Sequence, residues 1–400
     1  MIGFNRVLFV ASLVLCSTVD DRLTAQPFAA SRSPVAKRDS SSDAPAKVLS
    51  PQEWQRVDAA VNRALTWLAA SQQPDGSFPT LDTGQPGVTS LCILAFMAHG
   101  HLAGEGKYGR QLERAAEYAM RSQKENGLVT RVGPEGPQIS REIEHEIGVT
   151  AAYNHAISSL MLSEVYGSTK GDRSLRLKKT ITRSIAATLQ MQRWPKNRAI
   201  DDGGWRYIDD KDEHDSDLSI TGWELMFLRS ARNAGFDVPK KPIDEALFYV
   251  RSNFSQTYGA FAYIAGPGDY RSRGMAGAGI LALAHGGFHG APEARRSGDW
   301  ILRHNFDEYN TIDPFTQDWK NDRYHYGLFN CCQGMYQLGG RYWEEFFPRV
   351  VRVVLANQSA DGSWPAESHF HDAQFGNAYT TALVVLSLGA PNQLLPVFQR

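Results

Sequence analysis

The sequence predicts an all-α chain: about six helical hairpins closing into a ring, apolar helices on the inside and amphipathic helices around them. Three observations predict it. A loop signature of Gln, three residues, Gly, any residue and an aromatic recurs at Gln72-Gln-Pro-Asp-Gly76-Ser-Phe78 and Gln358-Ser-Ala-Asp-Gly362-Ser-Trp364. The segment before the signature carries one apolar stripe, and the segment after it is apolar nearly all round.

The first stripe is formed by Val57, Ala60, Val61, Ala64, Leu65 and Leu68, spaced by three and four residues, with Asp58, Asn62 and Arg63 facing elsewhere. This is the pattern of a surface helix. The segments Val88–Ala98, Gly274–Ala284 and Tyr379–Leu388 have no polar face and must be buried on every side. Aligning these second helices sets Thr89, Thr150, Thr221 and Thr381 in one register, with Ala276 and Leu328 as weaker copies. Weaker joints stand at Gln123-Lys-Glu-Asn-Gly127 and Gly203-Gly-Trp205. The fifth unit is degenerate, since the stretch from Asp299 to Asn310 lacks the signature. Gly100, Gly167, Gly235, Gly286 and Gly389 each follow a second helix, where a left-handed cap would end it.

Composition supports a folded protein. Hydrophobic residues make up 42% and charged residues 21% of 400 residues, as in ordinary globular chains. The formal net charge of −1 gives no electrostatic ground for a nucleic-acid partner. Residues 1–25, with Arg6 ahead of the apolar run from Val7 to Val14, read as a secretory signal peptide; an uncleaved anchor is the alternative. Residues 26–50 are rich in Ser, Ala and Pro and read as a disordered linker. The ring then occupies residues 51–400, exported to the periplasm, cell envelope or exterior, with no transmembrane helix after signal removal. Cys92, Cys331 and Cys332 remain in that ring. An odd count with two adjacent members does not describe a disulfide framework, so packing must hold the fold.

This pattern resembles the prenyltransferase and squalene-oxidase repeat, found in the α/α toroids of triterpene cyclases and protein prenyltransferase β subunits. The resemblance spans roughly residues 50–400. It implies that Gln72, Phe78, Gln358 and Trp364 are structural, tying each outer helix end to the next inner helix. It also implies where chemistry would sit. Triterpene cyclases protonate an alkene with the middle acid of an Asp-x-Asp-Asp stretch ahead of a Thr-Ala. Here the matching stretch is Asp217-Leu218-Ser219-Ile220 before Thr221-Gly222, so the proton donor is missing and cyclase chemistry is not expected. The zinc site of the prenyltransferases needs an Asp-x-Cys pair that this chain lacks. Cys331 and Cys332 read as core residues, with neither metal nor cofactor expected.

In such a ring the loops before the inner helices converge on one mouth. Four carboxylates there are candidate catalytic groups: Asp215, Asp217, Glu144 and Glu146. His145, Trp205, Arg271, Arg273, Tyr324, His325 and His371 are candidate binding residues. The competing reading of the acids is structural, since carboxylates ahead of a helix cap its free N–H groups. The expected function is a binding or scaffolding ring for a hydrophobic or extended ligand. The alternative is an enzyme acting at an acidic mouth on isoprenoids or glycans, with Trp205, Tyr207, Tyr324 and Tyr326 as sugar platforms. Nothing in the sequence indicates an oligomeric state.

Overall fold

The computed structural model describes residues 48–209, 214–266, 270–311 and 322–399. The expected signal peptide, all but the last residues of the linker, and the middle of the acidic run between Asp209 and Asp217 lie outside them.

The described chain is almost wholly helical. Six outer helices are α1 (Pro51–Ser71), α3 (Gly109–Arg121), α5 (Gly171–Gln192), α7 (Lys240–Ser252), α9 (Pro292–Arg303) and α11 (Arg341–Ala356). Six inner helices are α2 (Gly87–Met97), α4 (His145–Tyr166), α6 (Leu218–Asn233), α8 (Arg273–His285), α10 (Tyr324–Leu338) and α13 (Gly376–Leu388), the last preceded by the single turn α12 (Phe370–Ala373). The inner helices pack in chain order, and α13 returns to α2 to close the wall. Each outer helix packs on an inner one, and α11 meets α1. A two-residue antiparallel pair, Phe254–Ser255 with Ala260–Phe261, is the one sheet among the described residues. No helix among the described residues is long and apolar enough to cross a membrane.

The two helix types follow from their sequences. Ser50 and Glu53 cap α1 reciprocally, and the helix buries Val57, Ala60, Val61, Ala64, Leu65 and Leu68, the whole expected stripe. Every residue of α2 and of α8 is buried. Close approach needs small residues: a Cβ on Gly277 of α8 would stand 2.6 Å from the backbone of Asn330 and Cys331 on α10.

The signature loop is a repeated joint. Gln72, Gln123, Gln192 and Gln358 each donate from the side-chain amide to the carbonyl of their own joint glycine, at 2.7–3.1 Å. Each also donates to a carbonyl of the next outer helix: Gln111, Thr180, Pro242 and Ala60, at 2.8–2.9 Å. Gly76, Gly127, Gly203 and Gly362 have φ between +85° and +100°. A Cβ on any of them would lie 2.4–2.8 Å from a carbonyl oxygen one turn further along that next helix. The Gln therefore stitches outer helix to outer helix, a correction to the expected tie to the inner helix. The aromatic supplies that second tie through its backbone: the N–H groups of Phe78, Trp205 and Trp364 donate to Thr89, Thr221 and Thr381 Oγ1 at 2.9–3.0 Å.

Two further expectations are corrected. In the second unit the joint N–H of Val129 donates to His155 Nδ1 at 3.1 Å. His155, not Thr150, therefore holds the register position, because α4 begins more than a turn early. Of the five glycines expected in left-handed caps, Gly100 and Gly235 have positive φ. Gly167, Gly286 and Gly389 stay right-handed at the helix ends. The C-terminal segment closes the ring at the C-terminal ends of the inner helices. Its Leu395, Val397 and Phe398 are buried, and Gln337 donates to the Phe398 carbonyl at 2.6 Å.

Candidate functional site

At the opposite end, among the N-termini of the inner helices, opens a cavity of about 330 Å³. Its floor is apolar: Leu91, Ile157, Trp223 and Leu383. Its walls are aromatic, carrying Tyr153, Tyr207, Tyr263, Tyr270, Tyr326, Tyr379 and Phe375. Its rim holds His145, Glu146, Arg323, His371 and Asp372. The register explains the arrangement. Leu91, Ile157, Trp223 and Leu383 each stand two residues after the register positions 89, 155, 221 and 381. Gly87, Tyr153, Ser219 and Tyr379 stand two residues before them. Residues four apart share one face of a helix, and that face is the cavity wall.

Burial raises the phenols of Tyr153, Tyr207, Tyr263 and Tyr379 well above the usual tyrosine range, so all four are neutral O–H groups. Tyr153 and Ser219 oxygens are 2.6 Å apart, and the Tyr207 and Tyr263 hydroxyls are hydrogen-bonded. The Arg206 guanidinium lies over both rings of that pair, 4.2 Å from the Tyr207 centroid and 5.2 Å from that of Tyr263. On the rim, burial raises the Asp372 carboxyl, with Arg323 opposing and Glu367 adding to the shift. Tyr379 donates to Asp372 at 3.2 Å, and Arg323 Nε lies 3.4 Å from the same carboxylate.

The structure separates the candidate residues. Glu146, His145 and His371 line the cavity, and His145 Nδ1 lies 2.9 Å from Asp209. Glu144 occupies the N-cap position of α4 and is exposed. Asp217 is fully buried behind the wall, capping α6 through the Ile220 N–H at 2.9 Å and pairing with Arg206 at 2.9 Å. Asp215 accepts the Asn197 N–H at 2.5 Å, and its carbonyl accepts from Lys196 at 2.8 Å. Asp217 is thus spent on a helix cap and an ion pair, and Asp215 on loop backbone. Trp205 belongs to the third joint, where its indole N–H donates to the Thr188 carbonyl at 2.8 Å.

Arg273 is buried under the fifth joint. It donates to Asp322 at 2.6 and 3.0 Å and to the carbonyls of Asn305 and Thr311 at 2.9 and 2.7 Å. There it ties the loop between α9 and α10 to the N-terminus of α8. Arg271 stacks over Tyr258, 3.2 Å from the ring centroid. Tyr324 is buried against Phe306 and Tyr309. His325 is locked between Glu367 at 2.8 Å and the Tyr309 hydroxyl at 2.9 Å. Of the four aromatics considered as platforms, Tyr207 and Tyr326 reach the cavity. Burial pushes the Cys331 and Cys332 thiols up. Among the described residues no group of three or more His, Cys, Asp or Glu is placed to hold a metal ion.

No family model matches the chain, and no curated protein matches it in sequence. Solved structures do match. A variant of type II terpene cyclase MstE from Scytonema, in complex with its substrate geranylgeranyl dihydroxybenzoate, superposes with a TM-score of 0.53 at 15% identity; 87% of this chain and 100% of that one are covered. The glycoside hydrolase family 76 mannosidase Bt3792 from Bacteroides thetaiotaomicron gives 0.56 at 11%, covering 85% and 98%. A glycosidase variant gives 0.57 at 11%, covering 87% and 100%. The chain has the α/α toroid fold of these structures. At these identities the likeness is one of fold, and the α/α toroid's own side chains must carry any argument about ligand.

Proposed function

We propose that the toroid is a binding ring for an extended, largely apolar ligand, held in the aromatic cavity with its polar end toward the rim. One observation carries this reading: floor and walls are mainly aliphatic and aromatic, with uncharged polar groups such as Ser219 and Asn154 between them, while charge is confined to the rim. A cavity of this kind gains affinity by desolvating apolar surface, and a few polar groups fix orientation. The substrate of the terpene cyclase neighbour, an apolar chain on a polar ring, supports the same ligand type. Cyclase chemistry is absent from the proposal because Asp217 is spent on a helix cap and an ion pair. Export belongs to the proposal too, on the N-terminal sequence pattern; cell fractionation with an antibody to the ring tests it.

The test is equilibrium binding of farnesol, a C15 apolar alcohol, with mannotetraose as the polar comparator. Farnesol should bind saturably. Filling the floor with Leu91→Trp should weaken it tenfold or more, while Glu144→Gln, off the cavity, should leave affinity within twofold. Saturable binding of mannotetraose with none of farnesol overturns the reading.

A catalytic reading rests on Asp372, whose raised carboxyl sits beside Tyr379 on the rim in the manner of a general acid. It requires that Asp372→Asn abolish a measurable turnover of bound ligand while leaving binding and folding intact. Recovery of unaltered farnesol after prolonged incubation with wild-type protein removes this reading for that ligand.

A further inference from the structure

The cavity wall contains a hydrogen-bond circuit whose direction can be worked out from donor and acceptor counts. Asp217 accepts at both oxygens: Oδ1 takes the Ile220 N–H at 2.9 Å and the Ser219 hydroxyl at 2.5 Å, and Oδ2 takes Arg206 Nη1 at 2.9 Å. A carboxylate facing a guanidinium has no proton to give, so the one proton of Ser219 is spent on Asp217. The Tyr153 hydroxyl, 2.6 Å from Ser219 Oγ, must then be the donor in that contact. What Tyr153 leaves for the cavity is a lone pair.

The second branch has the opposite polarity. Arg206 Nη1 also donates to the Tyr263 oxygen at 2.5 Å, and the Tyr263 and Tyr207 hydroxyls bond to each other. Two phenols bring two protons, and their mutual bond uses one. A guanidinium accepts nothing, so the other proton is unspent. Tyr207 and Tyr153 are neighbours, with ring centroids 6.2 Å apart, and Tyr153, Tyr207, Tyr263 and Ser219 all line the cavity. The wall thus offers one lone pair and one O–H on neighbouring tyrosines, in surroundings that keep every phenol neutral.

We infer that Tyr153 and the Tyr207–Tyr263 pair form a subsite for one ligand hydroxyl, which donates to Tyr153 and accepts from the pair, and that the ligand class is a long apolar alcohol. The inference rests on the binding reading above. An ether or ketone oxygen accepts only and leaves Tyr153 unmatched. A phosphate sets its oxygens against the Tyr153 lone pair. An ammonium donates only and meets the unspent phenol proton. Asp217 acts as a positioning residue that sets both polarities from behind the wall.

The test compares farnesol, farnesyl methyl ether and farnesene by equilibrium binding. Wild-type protein should prefer the alcohol to the ether, and the ether to the hydrocarbon, by about fivefold at each step, the size of one hydrogen bond. Tyr153→Phe should bring farnesol down to the ether's affinity. The double variant Tyr207→Phe/Tyr263→Phe should bring the ether down to farnesene's. Ser219→Ala supplies a check that does not delete a phenol: with its acceptor gone, Tyr153 can donate, so the gap between alcohol and ether should narrow. Equal wild-type affinities for the three probes, or an alcohol preference that survives Tyr153→Phe, overturn the subsite and leave the apolar reading standing. Failure of all three to bind overturns the apolar reading itself.

Discussion

The outer seam and the mouth are built from the same helical hairpins, yet they use the repeat in opposite ways. At the seam four joints have one chemistry: a Gln amide bridging two carbonyls, and a left-handed Gly pressed against the next outer helix. At the mouth the positions two before and two after the register residue hold Gly87 and Leu91, Tyr153 and Ile157, Ser219 and Trp223, Tyr379 and Leu383. What stays constant holds the ring closed; what varies shapes the ligand. Asp217 stands between the two, behind the wall yet wired to the cavity phenols.

Removing Asp217 should therefore have the largest effect and the least local one. Asp217→Ala uncaps α6 and removes a carboxylate that lies 2.9 Å from Arg206, whose side chain is 9% exposed. Breaking a buried pair from one side costs about 3–5 kcal/mol. Chemical denaturation should show that loss, and surviving protein should no longer distinguish farnesol from its methyl ether. A midpoint close to wild type, or discrimination that persists, would show that the mouth is organised without Asp217.

A seam variant should separate the two properties. Gly362 has φ +97°, and an added Cβ would stand 2.8 Å from the Arg63 carbonyl oxygen at the joint that closes the ring. Forcing a side chain into that conformation costs about 1–3 kcal/mol before any clash. Gly362→Ala should lower stability by that much or somewhat more, with farnesol affinity unchanged under conditions where the protein is folded. Loss of affinity in step with stability would mean that seam and mouth are one cooperative unit.

The same contrast explains what could be read from the sequence. The seam was legible because it repeats within short windows: the α1 stripe and the joints at Gln72 and Gln358 are local patterns. The mouth was less so. Setting Thr150 in register hid Tyr153 and Ile157, because the early start of α4 moves its register position to His155. With that residue aligned, the spacing of two on either side would have marked the wall. The charged candidates were drawn from the right loops, but most are spent on partners that no local window reveals. Arg273 pairs with Asp322 49 residues away, and His325 with Glu367 42 residues away. Burying a charge is costly without such a partner, so the most buried polar residues at the mouth hold loops. Glu146 lies at the open rim, and His145 beside it pairs with the buried Asp209, 64 residues away.

The smallest effect concerns the layer between seam and mouth. Glu224 is buried on α6 next to Trp223, and its carboxyl group accepts from Thr188 on α5 at 2.9 Å, whose carbonyl receives the Trp205 indole of the third joint. Burial raises Glu224 to about 8, while it lowers His155 and His285 to about 3. The folded protein therefore keeps a proton on Glu224 in a range where the unfolded chain has released it. Its contribution is full below the unfolded value near 4.5 and is lost as pH rises through about 8. The two histidines act the other way, but only as pH falls below their unfolded value near 6.5, so the window from pH 7 to 8 is clear of them. Across it Glu224 should remove about 1 kcal/mol of stability. Glu224→Gln keeps an acceptor for Thr188 without the titration, so its stability relative to wild type should rise by about 1 kcal/mol from pH 7 to pH 8. Farnesol affinity should not follow, because Glu224 does not line the cavity. Parallel stability profiles for the two proteins would show that Glu224 is ionised in the fold at neutral pH and that this layer carries a charge the mouth must feel.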